Sequence, residues 1–343
     1  RTRHIGMALR LRQRSLRALF MSLVRSSEMA AISMREAFGK ALLQYGEENQ
    51  DIVVLDADTS SSTLTKIFAQ RFPERFYNIG IAEPCMVDVA VGLALGGLIP
   101  FANAFSALLS LRAIEAIRSN ICYARTNVKL VAHYAGLSDY KDGPTHHSIS
   151  DIAIFRSLPG MTLIVPSDAT QTAAFVPLMA EKDGPITMRI SRGASIAVHK
   201  EGEALEIGKG ILRRRGANVG LIACGSMVGR CMAASEILAR EGIDAAVLEI
   251  HTIKPIDRDS ICRVAADAGA IVTAEEHSIL GGLGGAVAEV LAEECPTPMA
   301  RIGISDTFAR TAPDTDSLMD TYGLSIDQIV SAAIGVLKKK EKR

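Results

Sequence analysis

Apolar runs alternate with segments of helical period along most of the chain, beginning at Ser33. Ser33 and Glu36 have the spacing of a capping box, and apolar side chains then recur at helical intervals as far as Tyr45. The run at 51–55 is typical of a strand buried on both faces of a parallel sheet. The same alternation predicts further strands at 76–79, 99–102, 128–133, 162–165 and 185–190, and further helices at 84–95, 105–124 and 169–181.

A charged, glycine-containing stretch at 199–216 separates this series from a second one. The second series predicts strands at 219–224, 245–249, 270–274 and 299–302, and helices ending at 241, at 258–268 and from 325 onward. Strands separated by helices of about 10–15 residues indicate parallel sheets with right-handed crossovers. We therefore predict an α/β fold of two consecutive three-layer domains with mainly parallel sheets, at 31–198 and 199–343.

Charged residues are unevenly distributed along the chain, although the formal net charge is zero. Residues 1–27 hold seven Arg and no acid, which leaves 31 basic residues against 38 acidic ones in the remainder. A mildly acidic body does not favour nucleic-acid binding. We interpret residues 1–30 as a basic N-terminal extension that is disordered or non-native. A transit peptide or an amphipathic surface helix is the alternative.

Cysteine spacing and hydropathy indicate the cellular compartment of the protein. The six Cys include no C-x-x-C pair, so we expect ordinary buried thiols in a reducing cytoplasm rather than a disulfide framework or a zinc site. No apolar run reaches the roughly 18 residues that a membrane-spanning helix requires. The sequence therefore predicts a cytoplasmic protein.

Glu83 is the first candidate for chemistry. It lies between an apolar strand and an apolar helix, where a loop at the carboxyl edge of a sheet is expected. Open α/β sheets bind ligands at such edges, and a carboxyl group enclosed by Ile81, Ala82 and Pro84 can share a proton. The alternative is an acid that the helix macrodipole favours at a helix start.

The segment DGPTHH, residues 142–147, is the second candidate. Asp-Gly-Pro is turn chemistry, and the turn presents His146 and His147 from a loop that follows Tyr134. Histidine titrates near neutral pH and forms hydrogen bonds with hydroxyls and oxyanions, so a catalytic role is one interpretation. A surface turn with incidental histidines is the other.

Together these segments identify a family resemblance. Residues 33–193 resemble the pyrimidine-binding domain of transketolases, and residues 217–333 resemble the transketolase C-terminal domain. The combination is an Ile-Ala-Glu segment, the DGPTHH loop about sixty residues later, and a strand ending Ile-Ser-Arg. Transketolases bind the cofactor diphosphate and Mg²⁺ on another domain through a GDG…N motif, and this sequence has none.

The resemblance therefore implies the C-terminal subunit of a split transketolase. Such a subunit uses thiamine diphosphate and Mg²⁺, with the metal and the diphosphate held by a partner N-terminal subunit. It transfers a two-carbon ketol unit from a ketose to an aldose, both expected to be phosphates. The expected assembly has two copies of each chain, with this chain forming a homodimer inside it.

Cofactor roles carry over residue by residue. Glu83 matches the catalytic glutamate that bonds the aminopyrimidine ring nitrogen. Asp58 matches an acid near the cofactor and the subunit interface, and Phe105 matches one aromatic residue of the pyrimidine pocket. Two further pocket positions are aromatic in relatives and are Leu108 and Ile114 here. Aliphatic side chains supply contact area there without stacking.

Substrate roles carry over in the same way. Asp142 and His146 match the catalytic pair that bonds substrate hydroxyls. Arg35, Ser62 and Arg192 match the set that holds the sugar phosphate, a role for which two guanidinium forks and a hydroxyl are suited.

One substrate position departs from the family pattern. A histidine that reaches the reacting carbons in relatives is Tyr134 here, with His133 one place earlier. The resemblance implies that His133 or His147 compensates in the pocket, or that the sugars differ from those of the pentose-phosphate enzyme.

The alternative functions for the whole chain are the beta subunit of a 2-oxoacid dehydrogenase, a deoxyxylulose phosphate synthase relative and a non-catalytic regulatory relative.

Overall fold

The computed structural model describes residues 32–340. The predicted basic extension at 1–30 lies outside these residues, as do the last three positions. Two mainly parallel sheets, each covered by helices on both faces, confirm the predicted α/β class and its three-layer domains. Every helix within the described range is too short or too polar to span a bilayer.

The first sheet contains the parallel strands of the N-terminal half. In chain order they are β1 (Ile52–Asp56), β2 (Phe76–Asn78), β3 (Ile99–Phe105), β4 (Lys129–His133), β5 (Thr162–Ile164) and β6 (Ile186–Arg189). Across the sheet the order is β5-β6-β4-β3-β1-β2. The helices are α1 (Met34–Glu48), α2 (Ser60–Thr63), α3 (Lys66–Arg71), α4 (Glu83–Leu95), α5 (Ser106–Leu111), α6 (Ile114–Ala116), α7 (Asp151–Ser157) and α8 (Ala169–Glu181), with a 3₁₀ turn at Pro73–Arg75 and a π-helical turn at Ile117–Tyr123.

Alternation along the strands divides the first-sheet core between two faces. Phe101 of β3 packs in the same apolar cluster as Phe38 of α1 and Phe175 of α8. Its neighbour Ala102 belongs to the opposite cluster, with Met86 of α4. Successive strand residues point to opposite faces, so both faces must be covered, and the near-continuous apolar strands already indicated this.

The second sheet contains the strands of the C-terminal half. They are β7 (Ile211–Arg214), β8 (Val219–Ala223), β9 (Ala245–Glu249), β11 (Ile271–Ser278) and β12 (Met299–Ile304), in the order β12-β11-β8-β9-β7. Strand β7 is antiparallel to its neighbour, and the other pairs of this sheet are parallel. The helices are α9 (Met227–Arg240), α10 (Arg258–Ala268), α11 (Leu283–Glu293), α12 (Thr315–Thr321) and α13 (Ile326–Lys340).

The two halves share a strand and a core. Strand β10 (Thr252–Lys254) belongs to the C-terminal half in sequence, but it pairs antiparallel with β5 of the first sheet. The cluster that contains Met86 continues through Ile222 and Leu283 of the second half. The relative position of the domains is therefore fixed by backbone pairing and by buried apolar contact.

The predicted helix at 105–124 is broken into α5, α6 and the π-helical turn. The stretch contains neither Gly nor Pro, so the sequence carries no local signal for a break. The interruption falls at Arg112, whose guanidinium forms an ion pair with buried Glu83. The break thus coincides with a tertiary charge contact, and π-helical turns often accompany functional sites.

Two cysteines depart from the expectation of ordinary thiols. Cys262 in α10 is bonded to Cys295, just after α11, with their Cα atoms 5.8 Å apart. The free thiols of Cys122, Cys224 and Cys231 are buried, as predicted, whereas the free thiol of Cys85 is exposed and the prediction of burial was wrong for it. The expectation was wrong for the bonded pair, which links two helices on one face of the second sheet.

Candidate active site

Loops at the carboxyl edge of the first sheet carry most of the predicted site residues. Residues 57–65 follow β1, residues 79–82 follow β2, residues 134–150 follow β4 and residues 190–193 follow β6. These strands are parallel, so their carboxyl ends face the same way and their loops meet. This edge is where open α/β sheets bind ligands.

Glu83 begins α4 and is fully buried. Its Oε2 accepts a hydrogen bond of 2.7 Å from Nη1 of Arg112. Its Oε1 is buried without a hydrogen-bond partner among residues 32–340. A buried acceptor left unmatched costs free energy, so it marks a place where a ligand atom can complete the site. Sequence reasoning missed Arg112, because no local pattern shows that it lies beside Glu83.

Asp56 organises the loop after β1. Its buried carboxylate accepts hydrogen bonds from the Oγ1 atoms of Thr59, Thr63 and Thr65 at 3.0, 2.9 and 2.9 Å. Burial raises the pKa of Asp56, and these hydrogen bonds partly oppose the rise. The next acid, Asp58, lies two residues further on, is exposed and has a φ of 61°. Asp56 therefore holds the loop, and Asp58 is presented at the surface.

Aromatic rings lie beside the DGPTHH loop. The half-buried ring of Phe105 lies 4.4 Å from the ring of Tyr134 and 5.9 Å from that of His146, measured between centroids. Leu108 and Ile114 follow Phe105 on α5 and α6 and are both half-buried. The structure thus brings Phe105, Tyr134 and His146 together.

Arg35, Ser62, Tyr134 and Arg192 form a second group, which we call the anion subsite. Nη1 of Arg35 donates to the main-chain oxygen of Ser62 and to the hydroxyl of Tyr134, each at 2.8 Å. The guanidinium carbons of Arg35 and Arg192 lie 5.7 and 5.1 Å from the centre of the Tyr134 ring. Residues far apart in sequence therefore place two guanidinium groups around one buried ring.

Asp139 is a further member of this region that sequence reasoning did not select. Its buried carboxylate accepts a 2.8 Å hydrogen bond from Nη1 of Arg192. Burial raises the pKa of Asp139 to about 6, with help from the neighbouring Asp142, while Arg192 and His146 oppose the rise. A single Asp in a loop has no sequence signal for such a contact.

Two predicted pocket histidines lie in the protein interior. His133 is fully buried, and its Nε2 is 3.0 Å from Oδ1 of Asn103. Burial lowers the pKa of His133 to about 3, so the ring is neutral at physiological pH. His147 is also buried, with Nε2 3.0 Å from the main-chain oxygen of Asp139. The hydrogen-bond contacts of these two rings are with Asn103 and Asp139, although the charge of Arg35 contributes to the lowered pKa of His133. His146 is half-buried beside Phe105.

Family models match both halves of the chain. Residues 30–196 match the transketolase pyrimidine binding domain, and residues 208–329 match the transketolase C-terminal domain. The chain belongs to the transketolase family. Members of this family use thiamine diphosphate, and two relatives that match over nearly their whole length are named as transketolase subunits.

Relatives and solved structures agree with that assignment. The 6-deoxy-6-sulfo-D-fructose transketolase subunit SqwH of Clostridium sp. is 39% identical, over 90% of this chain and 96% of its own. A subunit of the apulose-4-phosphate transketolase of Phocaeicola vulgatus is 33% identical, over 90% of this chain and 98% of its own. A solved split gene transketolase, an inactive beta4 tetramer, is 44% identical with a TM-score of 0.84, over 90% and 99%.

Proposed function

We propose that this chain is the catalytic C-terminal subunit of a two-chain transketolase. It moves a two-carbon ketol unit from a ketose to an aldose, and Glu83 acts on the aminopyrimidine of thiamine diphosphate. The observation that carries the proposal is the Oε1 atom of Glu83, which is buried and unpartnered among the described residues. A ring nitrogen that carries a proton would supply the missing donor.

Apolar residues of the first domain suit the cofactor ring. Phe105 ends β3, Leu108 and Ile114 lie on α5 and α6 just after it, and all three offer partly exposed apolar surface. Arg112 holds the second oxygen of Glu83 and so fixes the direction of the carboxylate. The bound cofactor supplies the electron sink for carbon–carbon cleavage, and the protein supplies orientation and proton placement.

The substrate would lie between the DGPTHH loop and the anion subsite. Asp142 and His146 belong to a loop that borders Phe105, where they can bond sugar hydroxyls. Arg35 and Arg192 would hold an anionic group at the far end of the sugar, because guanidinium forks match phosphate and sulfonate oxygens. Two relatives are named for a sulfonated and for a phosphorylated sugar, which supports an anionic head group here.

The diphosphate and Mg²⁺ would be held by a partner chain. Both named relatives are transketolase subunits of this chain's length, and the similar solved structure is a tetramer of one chain described as inactive. This supports an active assembly with a second kind of chain. We propose two copies of each, with Asp58 near the interface where the cofactor lies.

Reconstitution tests the proposal directly. The chain is co-purified with a partner that carries the diphosphate-binding domain, and ketol transfer is measured with thiamine diphosphate, Mg²⁺ and a panel of ketose donors. Glu83→Gln should lose at least about a hundredfold in kcat, a typical size for a lost proton-placing group, while assembling normally. The control is Glu201→Gln, because Glu201 is exposed in the stretch between the domains. Absence of transfer from every ketose would refute the proposal.

A further inference from the structure

Arg192 is already paired inside the anion subsite. Its Nη1 donates to Oδ1 of Asp139 at 2.8 Å, and the Asp139 side chain is fully buried while Arg192 remains partly exposed. Arg35, by contrast, donates from Nη1 only to neutral oxygens, those of Ser62 and Tyr134. One of the two positive charges therefore has a carboxylate beside it, and the other keeps its full charge.

The second oxygen of Asp139 is also informative. Oδ2 is buried and accepts no hydrogen bond from an N–H or hydroxyl donor among residues 32–340, and the carboxyl group of Asp142 lies close enough to share a proton with Asp139. The neighbouring carboxyl group of Asp142 raises the pKa of Asp139, in addition to burial, whereas Arg192 and His146 lower it. The main-chain oxygen of Asp139 faces Nε2 of His147, which adds no net charge while that ring is neutral. Asp139 thus sits where its own charge is only partly compensated.

The charge of Asp139 sets the charge of the subsite. Counting Arg35, Arg192 and Asp139 alone, and leaving the neighbouring Asp142 and His146 unchanged, ionised Asp139 leaves one unit of positive charge. With Asp139 protonated, two units remain. A singly charged anion matches the subsite with ionised Asp139, and a doubly charged anion matches the subsite with protonated Asp139.

We propose that Asp139 is a specificity-determining residue that tunes the anion subsite to a singly charged head group, such as a sulfonate, over a dianionic phosphate. It acts through Arg192 and is a positioning residue for the anion. The inference rests on the proposed function for its biological meaning, but its electrostatic content concerns anion binding alone. Removing the Asp139 charge should strengthen binding in proportion to the charge of the ligand.

The expected size follows from Coulomb's law. A charge about 7 Å away in a medium of effective dielectric about 40 changes affinity roughly sevenfold per unit of ligand charge. Asp139→Asn should therefore tighten a monoanion roughly sevenfold and a dianion roughly fiftyfold by the same relation. A neutral sugar should bind unchanged. Asp267→Asn is the matched control, since it removes an exposed carboxylate at the end of α10 in the second domain.

The first experiment needs no turnover. Binding of methanesulfonate and of methyl phosphate to the full chain is measured by NMR titration at pH 7.5, where the phosphate ester is mostly dianionic. Wild type should prefer methanesulfonate or bind the two equally, and Asp139→Asn should shift the ratio toward methyl phosphate about sevenfold. An unchanged ratio would overturn the inference, whether or not the reconstituted enzyme transfers ketol units.

A pH series on wild type covers the case in which the variant does not fold. Methanesulfonate keeps one charge across pH 5 to 8, so a change in its affinity reports groups of the protein. The affinity should fall as pH rises through about 6, the pKa of Asp139. Constant affinity over this range would contradict the inference. In the reconstituted enzyme, Asp139→Asn should lower KM for fructose 6-phosphate more than for its 6-sulfonate analogue, with the KM for fructose unchanged.

Discussion

A buried histidine at the junction of the two domains provides a sharp test of the electrostatic reasoning. The Nδ1 and Nε2 atoms of His199 lie 3.1 Å from carboxylate oxygens of Asp168 and Glu249, respectively. Asp168 is the N-cap of α8 in the first domain, and Glu249 ends β9 in the second. The imidazole therefore links two domains through two acids, and Nε of Arg213 lies 2.7 Å from the same Glu249 oxygen, Oε2, that faces His199.

The pKa of His199 gives the size of the effect. Burial alone would lower this pKa, but the hydrogen bond with Asp168 and the negative charges of Asp168 and Glu249 outweigh burial and raise it to about 9. An unfolded histidine has a pKa of about 6.5, so the protonated ring stabilises the fold by about 3 kcal/mol at low pH. The folded pKa is the higher one, so this stability is present in full below pH 6.5 and is lost as pH rises through 9. Between pH 7 and 9.5 the loss is about 2 kcal/mol.

The assay compares His199→Gln with wild type by urea unfolding at pH 7 and pH 9.5. The difference in unfolding free energy between the two proteins should shrink by about 2 kcal/mol at the higher pH. The matched control is His251→Gln, because burial lowers the pKa of His251 to about 4 and its ring is neutral at both pH values. If the His199 difference did not change with pH, the proposed doubly paired imidazolium would be refuted.

Three further substitutions test other contacts by the same unfolding assay. Arg189→Met removes the guanidinium group that pairs with the fully buried carboxylate of Asp151, so the free energy of unfolding should fall by about 3–5 kcal/mol. A fall below about 1 kcal/mol would contradict this. Gly136→Ala should cost about 1–3 kcal/mol, because φ is 64° and the new Cβ would lie 2.5 Å from Oε1 of Glu276. Arg112→Gln should cost about 1–2 kcal/mol, less than a fully buried pair, because the Arg112 side chain is 47% exposed while Glu83 is buried; no loss would remove the pair as a stabilising contact.

The fold was largely predictable because its strands are short apolar runs and its helices have clear periods. The predicted bounds of α8, β9 and α10 match the structure at both ends. The errors lie where tertiary contacts decide. Strand β10 is three residues long and pairs with a strand about ninety positions earlier, which no local period reveals. Edge strand β7 lies inside a charged stretch that resembles a linker.

The site was predictable only in part, because spacing identifies residue types and not contacts. Glu83 and His146 could be selected from motifs, and their burial and neighbours follow from the carboxyl edge of a parallel sheet. Arg112 and Asp139 could not, since each gains its role from one ion pair with a distant residue. His133 shows the same limit, because a strand-end histidine can point to either face of the sheet, and this one is buried beside Phe38. Its role in the pocket stays a prediction.

Tyr134 shows why the altered pocket is better explained by changed specificity than by lost activity. Its φ of 58° is a conformation that a bulky residue adopts only when its surroundings hold it there. The surroundings are functional groups: its hydroxyl accepts from Arg35, and its ring packs against Phe105 and lies beneath Arg192. A pocket released from function would have no reason to keep a strained tyrosine between two guanidinium groups. In the proposed subsite the tyrosine would fix the spacing of the two positive charges, and Asp139 would then set how much of that charge an anion meets.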